Sequence, residues 1–176
     1  MGDTVMTVIA IFLAAILLFV FPLMAVSDRA DDTSQTYVGA MTAQFVDEIR
    51  TSTVITQEKY DMFVSKLYAT GNTYDVEIVV GKVDENPYKT SPTDPGPSVG
   101  QNLTYKLSTS QVLNAMEQGG GTYKLNTGDS VSVTVKNTNK TISQMLKGFL
   151  YTVTGNDTYK IAAQYTGLVV GNGNSN

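Results

Sequence analysis

An α+β fold is predicted, built as one long N-terminal helix carrying a small C-terminal α+β head with an antiparallel sheet. Three observations predict it. Residues Thr4 to Ser27 form an uncharged run of 24 residues dominated by Val, Ile, Leu, Phe, Ala and Met. Apolar residues then recur at spacings of three and four from Tyr37 to Ile49, which makes one stripe on a helix. From Tyr74 onward, short runs of period-two alternation are separated by helix caps, glycines and prolines, the pattern of short strands and helices packed in layers. The chain divides into an N-terminal helix over 1–52, with a membrane segment at 4–27 and an amphipathic half at 34–52, a head over 53–170, and a flexible polar tail at 171–176.

As an α-helix the uncharged run spans ~36 Å, slightly more than the ~30 Å hydrocarbon core of a bilayer, so a tilted span fits. A secretory signal peptide normally has Lys or Arg before a shorter apolar stretch, whereas nothing basic precedes Arg29. Pro22, near the end of the run, must remove one backbone hydrogen bond and bend or locally loosen the helix. Membrane helices accept such a residue more readily than soluble ones. Beyond the polar stretch Ser27 to Gln35, the stripe runs through Tyr37, Val38, Met41, Phe45, Val46 and Ile49, with Gln44, Asp47, Glu48 and Arg50 off it. Tyr37, Met41, Phe45 and Ile49 are the side chains expected to pack the helix on the head. The cluster Thr51 to Thr53 ends it.

In the head, Thr56 is placed to cap a helix through Tyr60, Phe63, Val64, Leu67 and Tyr68, with Gly71 terminating it in the left-handed conformation. Tyr74, Val76, Ile78 and Val80 alternate with Asp75, Glu77 and Val79 in a half-buried strand. Residues 86–100 hold four of the five prolines and predict an extended surface loop. Leu103, Tyr105 and Leu107 suggest a short strand. Ser108 or Thr109 then caps a helix with Val112, Leu113 and Met116, ahead of Gly119-Gly120-Gly121. Val131, Val133 and Val135 make the clearest strand. Thr141 caps a helix through Ile142, Met145, Leu146, Phe149 and Leu150, and Tyr159, Ile161, Ala163 and Tyr165 form a last strand reaching towards Leu168 to Val170. About four strands are expected.

Composition excludes much chemistry. With 176 residues and 19.0 kDa, and no His or Cys, the chain has one small core and no thiol nucleophile, His-based triad, Cys/His zinc site or disulfide. Sixteen acids against twelve bases give a net charge of −4, which supplies no electrostatic reason to bind phosphate backbones. Nucleic acid is not expected. The triple glycine is no phosphate loop, because no Gly-Lys-Ser/Thr sequel follows and the run ends a helix. Asp75 and Glu77 share one strand face and read as solvated. Asp84-Glu85-Asn86 lacks the spacing of a calcium loop and reads as a turn. Asn102, Asn139 and Asn156 each open a glycosylation triplet, of a kind that arises by chance in an Asn- and Thr-rich chain. No catalytic, cofactor-binding or metal residue is assigned, and no enzyme activity is expected.

Asp3 stands alone at the start of the apolar span. In a lone helix it rests in the headgroup region, favoured by the helix dipole. In a bundle of such helices out of water an unpaired carboxylate is costly, and a neighbouring subunit's N-terminal amine is its natural partner.

With an acid near the N-terminus (Asp3), an uncharged run of this length, Pro22 near its end and an amphipathic continuation into an α+β head, the first fifty or so residues resemble a type IV pilin, or a pilin-like subunit of the tight-adherence kind. The resemblance implies a structural subunit, held first by a cytoplasmic or inner membrane and then extracted by pilus assembly machinery. It ends in an extracellular homopolymer, with residues 4–27 in the filament core and Asp3, Phe12, Phe19, Phe21 and Pro22 as assembly residues. Only Asp3 and Pro22 carry over residue by residue. The family usually has a basic leader ending in glycine and an aromatic first residue with glutamate a few positions on, where this chain has Met1-Gly2-Asp3. The alternative is a membrane-anchored extracytoplasmic component, a minor pilin or secretion-apparatus protein, that does not polymerise.

Overall fold

A computed structural model describes residues 2–83, 104–150 and 161–170. Its dominant element is a single 51-residue helix, α1 (Gly2–Ser52). Pro22 does not break it. A proline has no N–H and its ring crowds the carbonyl one turn back. The chain accommodates both by one π-helical turn at Ile16–Val20, then resumes α geometry at Phe21. The expected loosening is thus a local widening of the helix just before the proline.

The head follows as β1 (Val54–Thr56), α2 (Gln57–Tyr68), β2 (Tyr74–Val83), β3 (Thr104–Leu107), α3 (Thr109–Gln118), β4 (Thr122–Lys124), β5 (Ser130–Asn137), α4 (Ile142–Leu150) and β6 (Ala162–Leu168). Four strands form one sheet in the order β3-β2-β5-β6, with every neighbouring pair antiparallel. Its register sets Val76 opposite Val135, Ile78 opposite Val133 and Val80 opposite Val131. Ile78, Val80, Val131, Val133 and Val135 are fully buried, while Asp75 and Glu77 stay exposed on the other face. The described residues also hold a two-stranded ribbon, β1 with β4, too short at three residues a strand to leave a periodic signal. Leu103, Tyr159, the 86–100 loop, Asp84-Glu85-Asn86 and the 171–176 tail lie outside the described residues.

Local chemistry fixes the helix ends. Thr56 accepts a hydrogen bond from the Lys59 N–H at 3.3 Å, capping α2. That helix ends at Ala69, and Gly71 follows in the left-handed region with φ 79°. Ser108 is the cap residue of α3, its N–H donating to Gln111 Oε1 at 2.8 Å. Thr109 has another role: its hydroxyl accepts from the Ile78 N–H at 2.8 Å, covering β2 beyond the end of β3. Thr141 and Gln144 bond reciprocally at the start of α4, each N–H donating to the other's side chain, at 3.2 and 3.3 Å.

The second half of α1 packs on β6 and β5. Val38, Phe45, Val46 and Ile49 are buried, with Thr42 among them, its hydroxyl donating to the Val38 carbonyl at 2.7 Å. Met41 is partly buried against this core. Tyr37, expected in the packing stripe, is 37% exposed and borders Ala69 and Thr70 at the end of α2. It lies about 100° round the helix from Val38, and Val38 takes the central position. Phe45 stacks on Phe63 of α2, ring centroids 4.3 Å apart. Gln35 completes the edge of β6, its carboxamide accepting from the Ala162 N–H at 2.9 Å and donating to the Ala162 carbonyl at 2.6 Å.

Helix and sheet come close at Gly167, where an added Cβ would sit 3.1 Å from Arg50 Cδ and 3.2 Å from Val46 Cγ1. Interiors packed this tightly resist added volume. Gly167→Val is expected to destabilise the head by about 1–3 kcal/mol, and Phe63→Ala by about 3–5 kcal/mol through the cavity it leaves. Denaturant unfolding of the full chain in detergent micelles checks both. At the end of α1, Thr53 takes a left-handed conformation, φ 58°, which a β-branched residue adopts at a cost of about 1–2 kcal/mol. Thr53→Gly is expected to raise the unfolding midpoint in the same assay.

Candidate functional site

None of the described residues covers the first half of α1. Its apolar window is unburied, and the helix is long and apolar enough to cross a membrane. Phe12 and Phe19 are 71% and 74% exposed, and Phe21 also lies open. Among soluble chains an apolar surface of this extent marks a contact with lipid or protein. The polar side chains in it are few, and Thr7 turns its hydroxyl back to the Asp3 carbonyl at 2.8 Å, so this donor needs no water. Asp3 sits exposed in the first turn, where the helix dipole favours an anion. Asp3, Phe12, Phe19, Phe21 and Pro22 therefore lie along one uncovered stem, while Met41, Phe45 and Ile49 lie in the head.

The stem meets the head at a polar collar that sequence periodicity did not reveal. Asp28 is the first charged residue after the uncharged run, and Asp31 lies one turn further on. Both face α4. The Thr141 hydroxyl donates to Asp31 Oδ2 at 2.6 Å in a buried bond. Asp28 Oδ1 accepts from the Ser143 hydroxyl and takes a salt bridge from Lys147 Nζ at 2.6 Å. Lys147, with Ser143 second, holds the Asp28 carboxyl below the ordinary carboxylate range against a smaller opposing effect of burial.

These contacts set the orientation of α4. Of the apolar residues that the sequence places on this helix, Ile142 is 58% and Met145 55% exposed, while Thr141 and Ser143 are buried. The surface that α1 offers at this level is two carboxylates. A helix docking there turns Ser143 and Lys147 towards α1 and leaves Ile142 and Met145 outward. The signal that could have revealed this was the pairing of Asp28 and Asp31 with a Thr-x-Ser-x-x-x-Lys run, visible only once the two segments are known to meet.

Of the glycosylation triplets, only that at Asn139 lies within the described residues. Its amide nitrogen donates to Asn72 Oδ1 at 2.9 Å and its oxygen accepts from the Thr73 N–H at 2.9 Å, so a glycan there would displace a bond that ties two loops together. Asp75 and Glu77 remain a solvated strand face. No family model, curated protein or solved structure matches the chain.

Two outcomes follow from the collar. Thr141→Val leaves the buried Asp31 carboxylate without its donor, an expected loss of about 1–3 kcal/mol. Asp28 titrates lower in the folded chain than in the unfolded one, so its stabilisation is complete above the ordinary carboxylate pKa of about 3.9 and is lost as pH falls through its lower folded value. Because Asp28 and Lys147 are both partly exposed, the pair contributes about 1 kcal/mol or less and weakens with salt. The protection of the α4 amides, taken relative to their intrinsic exchange rates at each pH, should fall in acid, and Asp28→Asn should remove that part of the pH dependence.

Proposed function

We propose that this chain is the structural subunit of an extracellular helical filament, with the exposed stems packed together as the core and the heads forming the outer surface. One observation carries the reading: a single unbroken helix is a core element of the head along its second half and is wholly uncovered along its apolar first half. Such a stem is stable only in a bilayer or against other stems. In water, burying each large side chain of the run is worth ~1.5–3 kcal/mol, so a polymer of stems is strongly favoured once the chain leaves the membrane. Within lipid that driving force is largely absent, which is why extraction requires dedicated machinery. Identical subunits joined by a heterologous contact that does not close give a helical filament.

Asp3 is the proposed register element. Buried among stems, its carboxylate needs a cationic partner, a role this reading gives to the adjacent subunit's N-terminal amine. The test is negative-stain microscopy and immunoblotting of sheared cell-surface material from cells expressing the chain and its variants. The natural sequence is expected in thin filaments, and Asp3→Ala and Phe12→Asp each to lower filament yield at least several-fold while the membrane pool of subunit persists. Normal filaments from Asp3→Ala would overturn the pairing. A subunit found only in membranes, with its assembly machinery present, would favour the anchored component that does not polymerise.

A further inference from the structure

We propose that α4 is a membrane-surface helix: before assembly, its outward residues Ile142 and Met145 bed in the headgroup layer of the bilayer that holds the stem, fixing the height and tilt of the head. The inference rests on the reading of residues 4–27 as membrane-held. Position is the first argument. Asp28 and Asp31 are the first carboxylates beyond the apolar run and must lie at the bilayer surface if that run spans it. The collar binds α4 to those two residues, through Thr141 at Asp31 and through Ser143 and Lys147 at Asp28. Whatever α4 turns outward is therefore held at the water–lipid boundary.

The second argument is what it turns outward. Ile142 and Met145, one helical turn apart, are both more than half exposed. They are the apolar surface that α4 presents at the level of the collar. A short helix with a polar face committed elsewhere and an apolar face free is the form that lies in a bilayer interface. Lys147 reaches back to Asp28, as a lysine stem crossing an apolar layer to a polar partner does.

Charge decides the kind of lipid contact. Around the collar the three cations Arg29, Lys140 and Lys147 are matched in number by Asp28, Asp31 and Asp32. There is no excess of positive charge to recruit anionic lipid. Attachment is therefore by apolar insertion, and a zwitterionic bilayer suffices.

The absence of cysteine makes the test direct. Single substitutions Ile142→Cys, Met145→Cys, Leu13→Cys and Glu117→Cys, all at exposed positions, are labelled with a nitroxide. The full chain is reconstituted in phosphatidylcholine vesicles, and collision of each label with oxygen and with a water-soluble nickel chelate is compared. The labels at 142 and 145 are expected to show an oxygen-to-nickel ratio several-fold above that at 117, approaching the lipid-embedded label at 13, and unchanged by added salt. A lipid-like label at 13 with water-like labels at both 142 and 145 would overturn this inference alone. Water-like labels at all positions would overturn the membrane reading with it. Shielding of 142 and 145 from both reagents would mean that a second copy covers α4, which also overturns a lipid contact.

Discussion

One helix is apolar all round along one half and amphipathic along the other, and the rest of the structure depends on that change. Along its second half α1 is an ordinary amphipathic core helix, burying Val38, Phe45, Val46 and Ile49 against the sheet. Along its first half it is apolar on every side and is not buried by any of the described residues. Because the helix is continuous, the two environments are rigidly coupled: the orientation of the stem dictates that of the sheet. Helical continuity survives Pro22 because a π turn absorbs the missing donor, so the coupling passes through the one residue suited to interrupt it.

The collar is the consequence of that coupling. Where the chain leaves the apolar environment, burial no longer stabilises contact with α1, and the contacts change from methyl groups to Asp28, Asp31, Thr141, Ser143 and Lys147. Above this level, helix–sheet packing takes over, with Gln35 completing the edge of β6 and Gly167 letting the helix approach. Polar contact at the end of the apolar stem and apolar contact in the head follow from what α1 offers at each level.

Much of this was legible in the residues. The stem is written in 24 uncharged positions, the core strands in the alternation of Tyr74 to Val80 and Val131 to Val135, and the caps in Thr56, Ser108 and Thr141. What was not legible depended on partners distant in the chain. Tyr37 has the spacing of a packing residue, but the sheet lies under Val38. Ile142 and Met145 have apolar spacing, but the surface that α1 offers to this helix is acidic and takes Thr141, Ser143 and Lys147 in their place. The β1–β4 ribbon has too few residues for any period to show. Periodicity tells that a helix has two faces; which face is covered depends on what the fold brings to it.

The central claim is that the uncovered stem finds its cover in other copies of itself. Helical reconstruction of filaments sheared from the cell surface, with mass-spectrometric identification of the subunit, tests this most directly. The account predicts filaments of this chain with Thr4 to Ser27 retained as a continuous core, stems within van der Waals contact and heads outside. Filaments whose subunits lack that segment, or whose core is built from the heads, would contradict it.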